Sequence, residues 1–206
     1  MSSDPVDRVR EHYDREAAGY DREIALFERV LFDDGRRWVC SQAEGNVLEI
    51  AAGTGRNLPF YPADIELTAI ELSPAMLAIA ERRARELGRT VDLRLGNAET
   101  LDFADEQFDT VVCTLSLCTI PDDRKAVAEV NRVLRHGGRF TLLEHVRSPL
   151  PLVRAGQRLV DPLFRRFQAD HILREPLEHL RAEGFTIEQL ERSKLGIVER
   201  ATARKP

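Results

Sequence analysis

Two carboxylates and two glycines, Glu49, Gly53, Gly55 and Glu71, carry the spacing of a site able to hold a nucleoside. The first three lie in Leu48-Glu49-Ile50-Ala51-Ala52-Gly53-Thr54-Gly55-Arg56-Asn57, an apolar run that enters a glycine turn. The fourth ends a second apolar run, Leu67-Thr68-Ala69-Ile70-Glu71. Glycines in such a turn let backbone approach a ligand, and an acid closing the next strand accepts from ribose hydroxyls. The interval from Gly53 to Glu71 is close to the roughly 20 residues expected for that acid. A dinucleotide would require G-x-G-x-x-G, its pyrophosphate resting on a helix N-terminus. Here Leu58 stands at the third glycine position. Glu49 would repel a pyrophosphate and instead suits a ligand carrying an ammonium and a sulfonium.

The segments that must position these residues alternate in type. Strands are predicted at Val47–Ala51, Glu66–Glu71, Val91–Leu95, Thr110–Leu115 and Arg139–Val146. Helices are predicted near Arg56–Phe60, Pro74–Leu87 and Asp123–Leu134. This order marks a parallel sheet with helices on both faces. Ser73-Pro74 reads as an N-cap with proline at the first helical position. Gly88 and Gly137-Gly138 read as helix stops. Two N-terminal helices, Val6–Tyr20 and Glu23–Val39, are expected, with a short kinked segment at Ala17-Ala18-Gly19 bracketed by Tyr13-Asp14 and Tyr20-Asp21. Phe185–Leu190 and Gly196–Ala203 complete the pattern as two further strands.

Four motifs follow one another along the chain. They are Glu49 to Gly55, then Ile70-Glu71-Leu72-Ser73-Pro74-Ala75-Met76-Leu77, then Gly96-Asn97-Ala98-Glu99 with Phe108 to Val112, then Arg132 to Phe140. In this order they resemble the class I S-adenosylmethionine-dependent methyltransferases. Val112-Cys113-Thr114-Leu115-Ser116-Leu117-Cys118 and Leu142-Leu143-Glu144-His145-Val146 are similar to the methyltransferase-like enzymes that methylate alkyl thiols. The ubiquinone/menaquinone and phospholipid methyltransferases share the layout more distantly. The resemblance implies a Rossmann-like α/β fold, a mostly parallel seven-stranded sheet ending in an antiparallel hairpin. It implies S-adenosylmethionine as cofactor and a small, apolar methyl acceptor, a thiol first, with a quinol, phenol or phospholipid amine next.

By the same resemblance, Glu71 accepts from the ribose hydroxyls, and Asn97 with the Ala98 amide reads the adenine edge. Leu72 and Met76 sandwich the adenine ring. Glu49, Ala51, Gly53 and Gly55 border the methionine portion, and Arg56 or Asn57 contacts its carboxylate. Tyr20 or Tyr13 closes the site from the N-terminal lid, and Leu115 and Cys118 border it from the fourth strand. Two residues depart from the family pattern. Ala51 replaces a glycine and fits only with negative φ. Asn97 stands where Asp is frequent, and its amide oxygen can still accept from an adenine amino group.

Loss of a proton from the acceptor points to His145, at the end of the fifth strand, or His171, since imidazole titrates near neutral pH. Glu144 alternates to the opposite face from His145, and His12, His136 and His179 read as surface residues. Between Ser148 and Asp170, Pro149, Pro151 and Pro162 are expected to break the chain into short pieces. Leu152, Val153, Leu159, Val160, Leu163, Phe164 and Phe167 alternate there with Arg154, Arg158, Arg165 and Arg166. Residues 148–172 are read as an acceptor-side insertion, whose stretch 150–167 can also touch a membrane surface.

The 206 residues suit one domain, with lid helices over 1–40. A net charge of -5 argues against nonspecific nucleic-acid binding. No run approaches the roughly 18 apolar residues of a membrane helix, and Met1 to Pro5 lacks a signal-peptide pattern. A soluble, cytoplasmic protein is expected. Cys40, Cys113 and Cys118 match no zinc-ligand spacing, so reduced thiols and no metal site are expected. A catalytically silent module would have lost the cofactor acids, whereas Glu49 and Glu71 are both present.

Overall fold

Asp4 starts the first helix: its carboxylate accepts from the Val6 N–H at 2.8 Å, and Pro5 occupies the first turn. The computed structural model describes residues 4–167 and 170–206. Helix α1, Pro5–Phe27, runs without a kink at Gly19. One interior glycine costs only about 1 kcal/mol, and the polar contacts that α1 makes with the sheet loops outweigh it. The direction changes later, through a π-helical turn at Glu28–Phe32 and Asp33 at φ 42°, before α2, Gly35–Ser41. Gly35 brings α2 close to the sheet, where an added Cβ would lie 2.9 Å from Leu143.

The strands are β1 (Asn46–Ile50), β2 (Glu66–Glu71), β3 (Asp92–Leu95), β4 (Phe108–Thr114), β5 (Leu134–His145), β6 (Thr186–Ser193) and β7 (Val198–Arg204). They form one sheet in the order β3-β2-β1-β4-β5-β7-β6. β1 to β5 pair in parallel, while β7 runs antiparallel to both β5 and β6. Helices α3 (Pro74–Glu86), α4 (Asp123–Val133), α5 (Pro151–Phe167) and α6 (Pro176–Ala182) complete the chain. Alternate residues of the central strands enter different cores, as a pleated strand requires. Leu48, Ile50, Val111, Cys113, Phe140 and Leu142 pack toward α4 and α6, and Val47, Val112 and Leu143 pack toward α2.

Four further local expectations change. Helix Arg56–Phe60 shrinks to a 3-10 turn at Leu58–Phe60, because Pro59 and Pro62 leave no room for a longer ladder. Gly137 and Gly138 lie inside β5 and do not stop α4, since Leu134 is already extended. A Cβ on Gly138 would come within 3.0 Å of the Asp109 carbonyl, so glycine here lets β5 join β4. The prolines do not fragment residues 151–167, which form one helix with Pro162 on its exposed side. Water can satisfy the carbonyl that Pro162 leaves without an N–H. Gln168 and Ala169, within the expected insertion, lie outside the described residues.

Ala51 is the fourth of these changes. Its φ is +52°, not negative. A left-handed L-residue costs roughly 1–2 kcal/mol, and glycine returns part of that through greater freedom of the unfolded chain. Ala51→Gly is therefore expected to raise unfolding free energy by up to about 1 kcal/mol. Urea denaturation checks this, and a less stable variant would show that the turn is not strained.

Candidate active site

The carboxyl ends of β1, β2 and β4 face a cavity. Gly53 forms its floor at φ +59°, with nothing within 4 Å of an added Cβ. Glu71 stands beside it, and its two carboxylate oxygens accept from the Gly53 and Ser73 N–H groups, each at 2.8 Å. Burial pushes the Glu71 carboxyl above its ordinary range, and these N–H groups hold it down in part. Leu72, Met76, Asn97 and Ala98 line the same cavity, with Ala51 and Leu115. Asn97 Oδ1 accepts from the Glu99 N–H at 2.9 Å. An open glycine floor, an acid within reach and an apolar slot fit an adenosine ligand.

Four residues expected at the cofactor, Gly55, Asn57, Glu49 and Cys118, do not line this cavity. Gly55 packs on α3 instead, where a Cβ would lie 3.2 Å from the backbone of Ala80. Asn57 is fully buried and donates to Glu49 Oε1 at 2.8 Å and to Thr114 Oγ1 at 2.9 Å. Glu49, also buried, accepts from Tyr61 at 3.0 Å, and burial pushes its carboxyl up to about 7. The pair lies beneath the floor because residue 49 shares the side of β1 that carries Val47. Arg36 lines the cavity in their place, its Nη1 donating to Asn57 Oδ1 at 2.9 Å and to Thr114 Oγ1 at 2.8 Å. Arg36 had no motif signal, because its position rests on α2 packing against β5.

Helix α1 closes the cavity through Val9, Tyr13 and Tyr20. Three acids seven residues apart, Asp14 and Asp21 of α1 and Glu28 of the following turn, latch it down. Asp14 accepts from Ser73 Oγ and the Ala75 N–H. Asp21 accepts from Thr54 Oγ1 at 2.7 Å and pairs with Arg83. Glu28 pairs with both Arg36 and Arg56. Burial raises the Tyr20 phenol to about 12, so it stays a neutral donor.

A second, more open cavity adjoins the first. Tyr13, Tyr20, Leu115 and Thr119 line both and form the wall between them. Apolar Ile24, Phe27, Val160 and Phe164 line much of the second, and its polar end holds Cys118, His145 and Asp170. His145 Nε2 lies 3.0 Å from Asp170 Oδ2. Burial would lower the imidazole pKa, but the Asp170 carboxylate overrides it, and the net shift is upward. Cys118 thus borders this cavity and not the first, and burial with the nearby Asp170 raises its thiol pKa well above the ordinary value. His12 lines the second cavity as well, so it is more than a surface residue.

The ring of His171 lines neither cavity. The backbone N–H of His171 donates to the Cys118 carbonyl at 3.0 Å, which brings Asp170 beside Cys118. Gln157 of α5 secures the same corner, donating to the Val146 and Ile172 carbonyls and accepting from the Ser148 N–H. Asp170 and Gln157 were not legible as site residues, since nothing local connects them to β5. Glu144 faces the core and accepts from the Ser116 and Leu117 N–H groups, each at 2.9 Å.

A doubly wound sheet with a glycine turn and a buried acid facing a cavity at its carboxyl edge defines the class of protein. Residues 48–142 match the family model described as a methyltransferase domain. The chain is 32% identical over 171 residues to the thiol S-methyltransferase TMT1B of Rattus norvegicus, covering 80% of this chain and 69% of that one. It is 40% identical over 114 residues to a phosphatidylethanolamine N-methyltransferase of Cereibacter sphaeroides, covering 53% of this chain and 56% of that enzyme's length. A solved structure of a possible histamine N-methyltransferase from Thermotoga maritima superposes with a TM-score of 0.76 at 21% identity, over 96% of this chain and all of that one. The chain belongs to the class I S-adenosylmethionine-dependent methyltransferases, alongside the thiol S-methyltransferases. It is accordingly an enzyme that uses S-adenosylmethionine. Among the described residues, no helix is long and apolar enough to cross a membrane.

Proposed function

We propose that this methyltransferase transfers its methyl group to the sulfur of a small apolar thiol. The observation that carries the reading is the second cavity: largely apolar walls, one shared partition with the cofactor cavity, and a polar corner at Cys118, His145 and Asp170. The similarity to thiol S-methyltransferases supports it. When bound, S-adenosylmethionine supplies an activated methyl group, so the protein chiefly positions, excludes water and manages charge. Glu71 would hold the ribose, Asn97 and Ala98 the adenine edge, and Leu72 and Met76 the ring. Arg36 and Arg56, relieved of Glu28, would meet the methionine carboxylate. Tyr13 and Leu115 would keep water from the reacting sulfur. His145, held by Asp170, marks where the acceptor S–H must lose its proton, and His171 has no place in that step.

A specific feature favours a second reading, N-methylation of a phospholipid amine. Glu16 and Glu23 line the second cavity and would attract an ammonium. On the adjoining face of α5, Leu152, Leu159 and Leu163 are 89%, 79% and 59% exposed, which suits contact with a lipid surface.

The test is release of S-adenosylhomocysteine against alkyl and aryl thiols, phenols, quinols, and phosphatidylethanolamine in vesicles. Turnover is expected for apolar thiols, with matched phenols poor substrates. Turnover confined to the vesicles would replace the thiol by the lipid amine.

A further inference from the structure

The corner that ends the acceptor cavity joins three different donors. Cys118 offers a sulfur, His145 an imidazole nitrogen and Asp170 a carboxylate oxygen, and these atoms all lie within 4.8 Å of one another. Tetrahedral zinc ligands, on bonds of about 2.0–2.3 Å, stand roughly 3.3–3.7 Å apart, so inward side-chain movement of about 1 Å would suffice. Cys118 is buried, and the His145 and Asp170 side chains are only 16% and 15% exposed. Asp170 Oδ1 is buried and has no hydrogen-bond partner among the described residues. A lone imidazole thus faces a thiol and an incompletely satisfied carboxylate. The fold already holds the three together, through the His171 backbone N–H on the Cys118 carbonyl and the Gln157 side-chain amide on the Val146 and Ile172 carbonyls. The remaining side of the cluster opens to the cavity lined by Val160, Phe164 and Ile197. Three protein ligands with an open fourth position form the pattern of a catalytic zinc site, not a structural one.

We propose that Cys118, His145 and Asp170 bind a divalent zinc-type cation whose open position takes the sulfur of the acceptor. The inference rests on the thiol reading above and says how the thiol is activated. A sulfur ligand and an imidazole favour zinc over magnesium or calcium, and a coordinated thiol is deprotonated outright. On binding, the acceptor S–H bond breaks and its proton leaves to solvent. The sulfur then forms the S–CH3 bond as the methyl–sulfonium bond breaks, and that electron pair stays on the sulfur of S-adenosylhomocysteine. The methylated product is a neutral thioether, a weaker ligand than a thiolate, and is free to leave. His145 acts here as a ligand, with Asp170 beside it.

The test uses the full chain, purified without chelator, and Co2+ as a spectroscopic probe. About one zinc per chain is expected. Co2+ should give an intense sulfur-to-metal charge-transfer band, which Cys118→Ser abolishes. His145→Ala and Asp170→Asn should weaken Co2+ binding at least about tenfold, while all three variants still bind S-adenosylhomocysteine in calorimetry. Absence of the band from the parent protein overturns the proposal, as does its persistence in Cys118→Ser. Thiol turnover that survives complete metal removal also overturns it. Stoichiometric metal binding without thiol turnover keeps the metal site and discards the thiol acceptor, so the two readings fail separately.

Discussion

Glu49→Gln is expected to be more stable than the parent chain by about 3 kcal/mol at pH 8, and level with it near pH 4. Burial raises the Glu49 carboxyl to about 7, against an ordinary value of 4.5. The folded protein therefore keeps a proton that the unfolded chain has already lost. Stability from this group is complete below about pH 4.5 and falls as pH rises through about 7. A gap of about 2.5 units, at about 1.36 kcal/mol each, gives the stated difference. Glutamine cannot ionise, so it removes the loss. Its carbonyl still accepts from Asn57, and its amide can donate to the Tyr61 hydroxyl. Urea denaturation of both proteins between pH 4 and 8 measures the effect. Parallel stability curves would show that Glu49 is ionised in the fold at neutral pH.

Glu71→Ala is expected to weaken S-adenosylhomocysteine binding by about 1.5–3 kcal/mol, or roughly 10–150-fold, the range for hydrogen bonds to a charged group. The structure adds a second cost. Glu71 also satisfies the N–H groups of Gly53 and of fully buried Ser73. Removing both acceptors should lower unfolding free energy by about 2 kcal/mol or more. Calorimetry and urea denaturation on the same samples separate the two effects. Glu71→Gln keeps one acceptor oxygen and should lose less of each. Unchanged affinity in a folded Glu71→Ala protein would remove Glu71 from the ribose.

The amino-acid sequence by itself determined the alternation of strands and helices, the parallel sheet, and the meeting of Gly53 and Glu71 at the carboxyl ends of β1 and β2. Each of those rests on short-range patterns: strand alternation, a glycine turn at Gly53, an acid ending β2 at Glu71, and Ser73-Pro74 starting α3. Local pattern failed where long-range packing overruled propensity. Gly19 is held helical by contacts of α1 with the sheet loops, and Pro162 is tolerated because its side of α5 meets water. Only the tertiary structure decided which polar residues meet. It placed Glu49 and Asn57 beneath the cavity floor and brought Arg36 to the cavity. It also moved Cys118 to the acceptor side and set Asp170 against His145, 25 positions away in the chain. Such pairings arise when separate segments exclude water from a common corner, and spacing along the chain carries no trace of that exclusion.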